Sequence, residues 1–458
     1  MRAHFAFGPR AVVEAMRGRL LCRLAAGLCA LSLFAAPALA TTIERVVSAG
    51  GIEAWLVHES AVPMIAIDFA FVGGAAQDAP GKGGTAHLVA SLLDEGAGEI
   101  ASKAFHERLE RKAIELSYQA DRDNLRGTLR TLSANRDEAF EDLRLSLTAP
   151  RFDQADVDII KEQVLSTVRH ATTSPTEAAS QRWWQTAFPD HPYGRPVDGT
   201  LASVPPLTAE DLRDYTHRVL ARANLKVAVV GDIDVEAVKA MLDRVFGALP
   251  AQPQLTPVAN ATPQGLGRTV VVKLDVPQAV MTFGGPGIAR KDPDFMAAYI
   301  VNHILGGGAF SSRLYGEVRE KRGLAYSVYD TLLWLNHAAL FIGGTATRAD
   351  RAAETLTIID REIRRLAENG PTADELATAK DYLNGAFALN LDTSSKIAAL
   401  LVQLQLDGLG IDYFQRRPEL IAAVTLADAK RVARRLLDKG LLVTIAGRPE
   451  GVVSTSAE

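Results

Sequence analysis

From Gly83 to Gly96 the chain reads Gly-Gly-Thr-Ala-His-Leu-Val-Ala-Ser-Leu-Leu-Asp-Glu-Gly. The paired glycines and the apolar run behind them predict a helix that begins near Gly83. His87 and Ser91 stand four positions apart, so their side chains share one face of that helix. The apolar segment Met64–Val72 precedes the helix and predicts a strand. The stretch therefore predicts a unit in which a strand leads to a helix.

The second half of the chain repeats this order at an offset of roughly 217 residues. The corresponding segments are the strands Met64–Val72 and Ala279–Phe283, the helices near Gly83 and at Phe295–Leu305, the pairs Arg111-x6-Tyr118 and Arg319-x6-Tyr326, the capping-box helix starts Thr208-x-x-Asp211 and Thr425-x-x-Asp428, and the strands Leu225–Val230 and Leu441–Ala446. The offset is about the size of one large domain. Two homologous domains are therefore expected.

These correspondences predict an α+β fold of two homologous repeat domains. Each domain is expected to be a mixed or antiparallel sheet packed with helices, because strands and helices come in runs. Residues 248–267 hold four prolines and no charge, which is typical of an extended linker. The expected organisation is a signal peptide at 1–40, a first domain at 41–247, the linker at 248–267, a second domain at 268–450 and a tail at 451–458, in a clam-like arrangement.

The N-terminus has the three parts of an export signal. These parts are the basic residues Arg17, Arg19 and Arg23, the apolar run Leu24–Ala36, and the small-x-small site Ala38-Leu39-Ala40. The apolar run is too short to span a bilayer. We therefore expect cleavage after Ala40, whether translation starts at Met1 or at Met16, and a periplasmic protein that has no membrane attachment after cleavage.

Charge and cysteine content narrow the classes of function. The formal net charge is −4, and residues 1–40, with five Arg and one Glu, carry +4, so the mature chain is at −8. Such a balance argues against nucleic acid as a partner, since nucleic-acid-binding proteins carry basic surfaces. Both cysteines, Cys22 and Cys29, lie in the signal peptide. The mature chain therefore has no disulfide and no thiolate metal site.

The helix around His87 resembles the one that carries the zinc motif H-x-x-E-H in the pitrilysin/insulinase family of metallopeptidases. In that motif both histidines bind zinc and the glutamate is the general base. Here Ala90 takes the glutamate position and Ser91 that of the second histidine. The helix that matches the family's third ligand, 156–171, has no carboxylate within 165–171. One imidazole cannot supply the three protein ligands of a catalytic zinc, so we expect no metal cofactor in this chain.

A second resemblance to the family lies in the second half. The segments that carry it are Leu305-Gly306-Gly307-Gly308-Ala309-Phe310-Ser311-Ser312-Arg313-Leu314-Tyr315 and Val318-Arg319-Glu320-Lys321-Arg322-Gly323-Leu324-Ala325-Tyr326. They predict a flexible glycine loop, a short helix at Ser311–Arg322 that Gly323 ends, and a strand that Tyr326 opens. Alone, they also fit a plainer interpretation, in which Arg319 suits the dipole of the helix and Tyr326 is an ordinary strand aromatic.

In order and spacing, these segments resemble the Arg/Tyr pair that members of the family place in their second half. The resemblance implies that Arg319 and Tyr326 act in trans at the zinc site of a partner, where Arg brings several donors and Tyr a hydroxyl for an oxyanion. It also implies that Gly306, Gly307 and Gly308 contact the substrate together with this pair.

The resemblance as a whole implies the inactive subunit of a heterodimeric metallopeptidase. A homologous zinc-bearing subunit would be its partner, and unfolded peptides would be the substrates. Two other classes stay open: a structural or peptide-binding relative with no catalytic role, and an active peptidase with an unusual metal site.

Overall fold

Two β-sheets form the framework of the protein, and the computed structural model describes residues 42–389 and 391–455 of it. The strands of the first half are β1 (Glu44–Val47), β2 (Glu53–His58), β3 (Met64–Val72), β4 (Gly96–Ala97), β5 (Ile100–Ala101), β6 (Glu115–Ala120), β7 (Asn124–Leu132) and β8 (Leu225–Gly231). Those of the second half are β9 (Thr269–Lys273), β10 (Gln278–Pro286), β11 (Ala325–Trp334), β12 (Ala339–Arg348) and β13 (Leu442–Gly447). The predicted signal peptide lies outside the described residues.

Helices cover these sheets. The helices of the first half are α1 (Thr85–Leu92), α2 (Ser102–Arg111), α3 (Arg136–Thr148), α4 (Gln154–Thr173), α5 (Pro175–Ala187), α6 (Ala209–Val219) and α7 (Val235–Phe246). Those of the second half are α8 (Phe295–Asn302), α9 (Ala352–Asn369), α10 (Ala373–Leu389), α11 (Ser394–Leu406), α12 (Tyr413–Ala422) and α13 (Leu426–Leu437). Among the described residues, no helix combines the length and the hydropathy needed to cross a membrane.

The order of strands confirms the repeat. The first sheet has the strand order β1-β2-β8-β3-β7-β6 and the second has the order β9-β13-β10-β12-β11. The last five strands of the first sheet therefore correspond, in order, to the five strands of the second. In both sheets the pair that joins β2 to β8, or β9 to β13, is parallel, and the other matched pairs are antiparallel. Both predicted capping boxes, at Thr208 and Thr425, are present with reciprocal hydrogen bonds. The protein is a two-domain α+β fold of the clam-like kind.

Each half lends a helix to the sheet of the other. The first-half helix α5 packs on β10 and β13, where Trp183 Nε1 donates to the carbonyl of Leu442 at 3.1 Å. The second-half helix α11 packs on β3 and β8, and Gln405 Nε2 donates to the carbonyl of Val227 at 2.8 Å. Buried apolar side chains line both contacts. The exchange ties the halves together beyond the linker.

Two predicted helices of the second half take a different form. The α-helix predicted at Phe295–Leu305 ends at Asn302 and continues as a π-helical turn, His303–Gly307. The short helix predicted at Ser311–Arg322 contains a π-helical segment, Tyr315–Glu320, behind a turn. Single π turns concentrate at functional sites, because they shift the side chains that follow.

The predicted equivalence of Tyr118 and Tyr326 is wrong in register. The rings of Phe69 and Phe283 cover Gly127 and Gly343, which marks these two strand pairs as equivalent. Tyr118 pairs with Gly127, whereas the residue that pairs with Gly343 is Asp330. Tyr118 is therefore the counterpart of Asp330, and the shared spacing from Arg is a coincidence of sequence.

Candidate functional site

The helix of the incomplete zinc motif, α1, is held firmly at its first turn. The carboxylate of Asp78 accepts from the N–H of Gly84 at 2.8 Å and from that of Ala86 at 2.9 Å. Burial raises the pKa of Asp78 to about 7, although these two N–H groups oppose the shift. Nearby, Ser203 Oγ donates to the carbonyl of Gly83 at 2.8 Å. The helix start is thus well ordered, and its chemistry depends on the side chains it presents.

Those side chains offer one metal donor. His87 is half-buried, and its Nδ1 lies 3.4 Å from a carboxylate oxygen of Asp198. Ala90 is buried and has no donor atom. The hydroxyl of Ser91 donates to the carbonyl of His87 at 2.9 Å, a bond within the helix itself. A catalytic zinc needs three protein ligands, and this face of α1 has one.

The neighbouring helix does not supply the missing ligands. The side of α4 that packs against α1 and the core is apolar, with Val164, Leu165 and Val168 buried there. Glu162 is exposed, and its carboxylate lies 3.6 Å from the guanidinium of Arg169. Within the described ranges, no three His, Cys, Asp or Glu side chains gather closely enough to hold a metal ion. The donor set around His87 does not fit the zinc of H-x-x-E-H.

The second half brings Arg319 and Tyr326 together, as the family resemblance implied. The guanidinium carbon of Arg319 lies 4.6 Å from the ring centre of Tyr326 and 4.9 Å from that of Tyr315, so two aromatic rings flank the cation. Phe310 packs edge-on against Tyr315 at 5.1 Å. Tyr326 is 83% exposed, so its hydroxyl is open to a ligand. Such stacking restricts the guanidinium while its N–H donors stay available.

The charge of Arg319 is not neutralised by the rest of the described chain. Its guanidinium makes no ion pair with residues 42–389 or 391–455, whereas its neighbours Lys321 and Arg322 bind Glu317 at 2.6 and 2.7 Å. These two cations hold the pKa of Glu317 down, to about 2. One cation of the segment is therefore left to attract an anionic or electron-rich group from outside.

The glycine segment is packed, which corrects the expectation of a flexible loop. Gly306 and Gly307 lie in the π turn against Asp330 of β11, where a Cβ on Gly306 would stand 2.8 Å from Asp330 Cγ. Asn302 Nδ2 donates to Asp330 Oδ1 at 2.5 Å, and the backbone N–H groups of Gly306 and Gly307 also interact with this carboxyl. Burial raises the pKa of Asp330 well above its usual value. Gly307 is exposed, whereas Gly308, in the turn that follows, is buried, and a Cβ there would stand 2.7 Å from the carbonyl oxygen of His303.

The sequence interpretation missed two contributors to this site. Tyr315 stands four residues before Arg319, a spacing at which helical side chains meet, so the contact was open to prediction. Asp330 gave no such signal, because its role depends on the close approach of Gly306 from another element.

Comparison with known proteins agrees with this geometry. Residues 56–201 match the profile described as insulinase (peptidase family M16), and residues 206–383 match the profile described as peptidase M16 inactive domain. An uncharacterized zinc protease of Mycobacterium bovis is 30% identical over 301 residues, which cover 65% of this chain and 68% of that protein. The chain belongs to the M16 family.

Two other M16 relatives have names that bear on the site. The non-peptidase homolog YmxG of Helicobacter pylori is 29% identical over 335 residues, 73% of this chain and 77% of that protein. A crystal structure of a peptidase M16 inactive domain from Pseudomonas fluorescens superposes with a TM-score of 0.83 at 27% identity, covering 91% of this chain and all of that one. Family membership confirms the resemblance that was drawn from the segments at 83–96 and 305–326.

Proposed function

We propose that this chain is the zinc-less subunit of an exported, heterodimeric M16 metallopeptidase. A homologous partner would hold the zinc and the general base. This chain would supply Arg319, Tyr326 and half of a chamber that admits unfolded peptides. The first support is the donor set of α1, in which Ala90 and Ser91 stand where a base and a ligand are needed.

The observation that carries the proposal is the stack of Arg319 and Tyr326. An exposed tyrosine hydroxyl beside a restricted, unneutralised guanidinium makes two kinds of donor available at one point of the surface. Donors that are fixed before the substrate arrives are what stabilises an oxyanion in peptide hydrolysis. A protein that served only as a scaffold would have no need to leave a half-buried guanidinium without a carboxylate partner.

The names of the relatives differ in what they support. The Helicobacter pylori and Pseudomonas fluorescens proteins are named as a non-peptidase homolog and an inactive domain, in keeping with a chain that is inactive alone. The Mycobacterium bovis relative is named a zinc protease. That second candidate activity is disfavoured here, because α1 provides one imidazole, His87, and α4 has no carboxylate at the position of the third ligand.

The periplasm is the proposed compartment. It rests on the signal-like residues 1–40, whose small-x-small site precedes Thr41. Mass spectrometry of the exported protein should give Thr41 as its first residue. An N-terminus that retains residues 1–40 would refute this part of the proposal.

Mixing the purified subunits tests the catalytic part. This chain alone should not hydrolyse an unfolded, fluorescently quenched peptide. Addition of the M16 homologue that retains H-x-x-E-H should produce zinc-dependent cleavage, and the two proteins should elute together in size-exclusion chromatography. Full activity of the zinc-bearing homologue alone, unchanged by this chain, would contradict the proposal and leave the peptide-binding or structural alternative.

A further inference from the structure

The direction of Tyr326 departs from the pattern of its own strand. From Val328 to Leu332, the even-numbered residues of β11 are buried and the odd-numbered ones are exposed, because side chains alternate across a sheet. Continued toward the start of the strand, that alternation would turn Tyr326 into the core. Tyr326 is instead 83% exposed.

A β-bulge causes this reversal. Ala325 pairs with Thr347 and Val328 pairs with Thr345, so Tyr326 and Ser327 together face the single residue Ala346. The extra residue shifts the alternation by one position, which brings both Tyr326 and Ser327 to the outer face. In this register the Tyr326 ring meets Arg319.

The first half of the protein shows the arrangement without a bulge. Leu116 of β6 is the counterpart of Val328 of β11. Each pairs with the residue that lies two positions after the equivalent glycine, which is Gly127 in the first sheet and Gly343 in the second. The pairing of β6 with β7 has no shift of register. The residue two positions before Leu116, Ile114, is 5% exposed and belongs to the hydrophobic core.

Two threonine hydroxyls of β12 satisfy the backbone at the bulge. Thr345 Oγ1 donates to the carbonyl of Ser327 at 2.7 Å, and Thr347 Oγ1 donates to that of Leu324 at 2.7 Å. Thr347 also accepts from the hydroxyl of the fully buried Thr355 at 3.2 Å. A bulge removes ladder hydrogen bonds, and a buried carbonyl without a donor is unfavourable. The hydroxyls supply the donors at its two ends.

We propose that Thr345 and Thr347 are positioning residues for Tyr326, which they turn toward Arg319 by stabilising the β-bulge at Tyr326 and Ser327. The importance of this positioning for turnover rests on the function proposed above. The positioning itself does not, because it concerns the conformation of this chain alone.

The direct test is an NMR measurement on the purified chain labelled with ¹³C-arginine. The Tyr326 ring gives the side-chain signals of Arg319 a ring-current shift, which Tyr326→Leu removes and thereby calibrates; Arg319→Lys assigns the signals. Thr345→Val, which loses the hydroxyl and keeps the shape, should move the Arg319 signals at least halfway to their Tyr326→Leu positions. Thr345→Ser should keep them at the wild-type positions.

A matched control separates positioning from loss of stability. Thr444 of β13, a strand of the same sheet, is also buried, and its hydroxyl donates to the backbone carbonyl of Ala179 at 2.7 Å. Thr444→Val should lower the thermal midpoint about as much as Thr345→Val and leave the Arg319 signals in place. Thr347→Val gives an independent second variant if Thr345→Val does not fold. Unchanged Arg319 signals in folded Thr345→Val or Thr347→Val would overturn the proposal.

Turnover with the zinc-bearing homologue then tests the consequence. Thr345→Val should lower kcat on the order of 10- to 100-fold, the scale for a displaced catalytic group, with little change in KM. In a Tyr326→Phe background, the same change should cost almost nothing further. If Tyr326→Phe itself leaves kcat unchanged, the proposed function fails while the NMR result still decides the positioning. An equal loss of kcat from Thr345→Val in both backgrounds would contradict action through Tyr326.

Discussion

Replacement of Gly306 by alanine is a sharp test of how the glycine segment is built. A Cβ at this position would lie 2.8 Å from both the Cγ and the backbone nitrogen of Asp330, closer than such atoms approach in real proteins. The π turn or β11 must therefore shift. Overpacking of this kind costs about 1–3 kcal/mol of the free energy of unfolding. We expect Gly306→Ala to lose stability in that range in urea denaturation followed by tryptophan fluorescence.

Gly385→Ala is the matched control for this experiment. Gly385 lies inside α10, and a Cβ there meets nothing within 4 Å. Alanine is a better helix former than glycine, so this change should raise stability by roughly 0.5–1 kcal/mol. If Gly306→Ala is as harmless as Gly385→Ala, the segment is the flexible loop that the sequence suggested, and the packing against Asp330 is not maintained in solution.

Two further predictions concern a buried carboxyl and the metal site. Burial raises the pKa of Asp68 to about 6, above the value near 4 of an unfolded chain. The folded protein therefore favours the neutral carboxyl, whose contribution to the free energy of unfolding is fully present below about pH 4 and is lost as the pH rises through 6. Asp68→Asn should gain up to roughly 3 kcal/mol relative to wild type between pH 4 and pH 7, measured by urea denaturation; a constant difference across that window would refute the assignment. The purified chain should contain no stoichiometric zinc by elemental analysis, and Ala90→Glu with Ser91→His should add at most weak binding by calorimetry, since a third ligand is still missing. Zinc-dependent hydrolysis by that double variant alone would show that a third ligand had been overlooked.

Local patterns were enough to predict the framework of the fold. The bounds of β3 at Met64–Val72 were predicted to the residue, because a segment that is apolar except for Asp68 is typical of a strand buried on both faces. The capping boxes at Thr208 and Thr425 were predicted because their bonds form within one helical turn. These local signals recur in both halves, so the duplication could be inferred without any tertiary contact.

The features that shape the candidate site were not predictable in this way. The bulge at Tyr326 depends on hydroxyls of β12 that lie some twenty residues further along the chain. The π turn at His303–Gly307 packs against Asp330, a residue of another element that no local pattern brings next to Gly306. Arg319 and Tyr326 could be paired from the resemblance to the family, but the direction of the tyrosine ring could not be predicted, since strand alternation alone would have placed it in the core.

The measurement that tests the central claim most directly is peptide hydrolysis by the reconstituted pair of subunits. Tyr326→Phe removes one donor to the developing oxyanion and should lower turnover on the order of 100- to 1000-fold, and Arg319→Ala should cost at least as much. His87→Ala, which alters the single remaining member of the zinc motif, should leave turnover nearly unchanged. Full turnover of both Tyr326→Phe and Arg319→Ala in a stable complex would contradict a catalytic role for this chain.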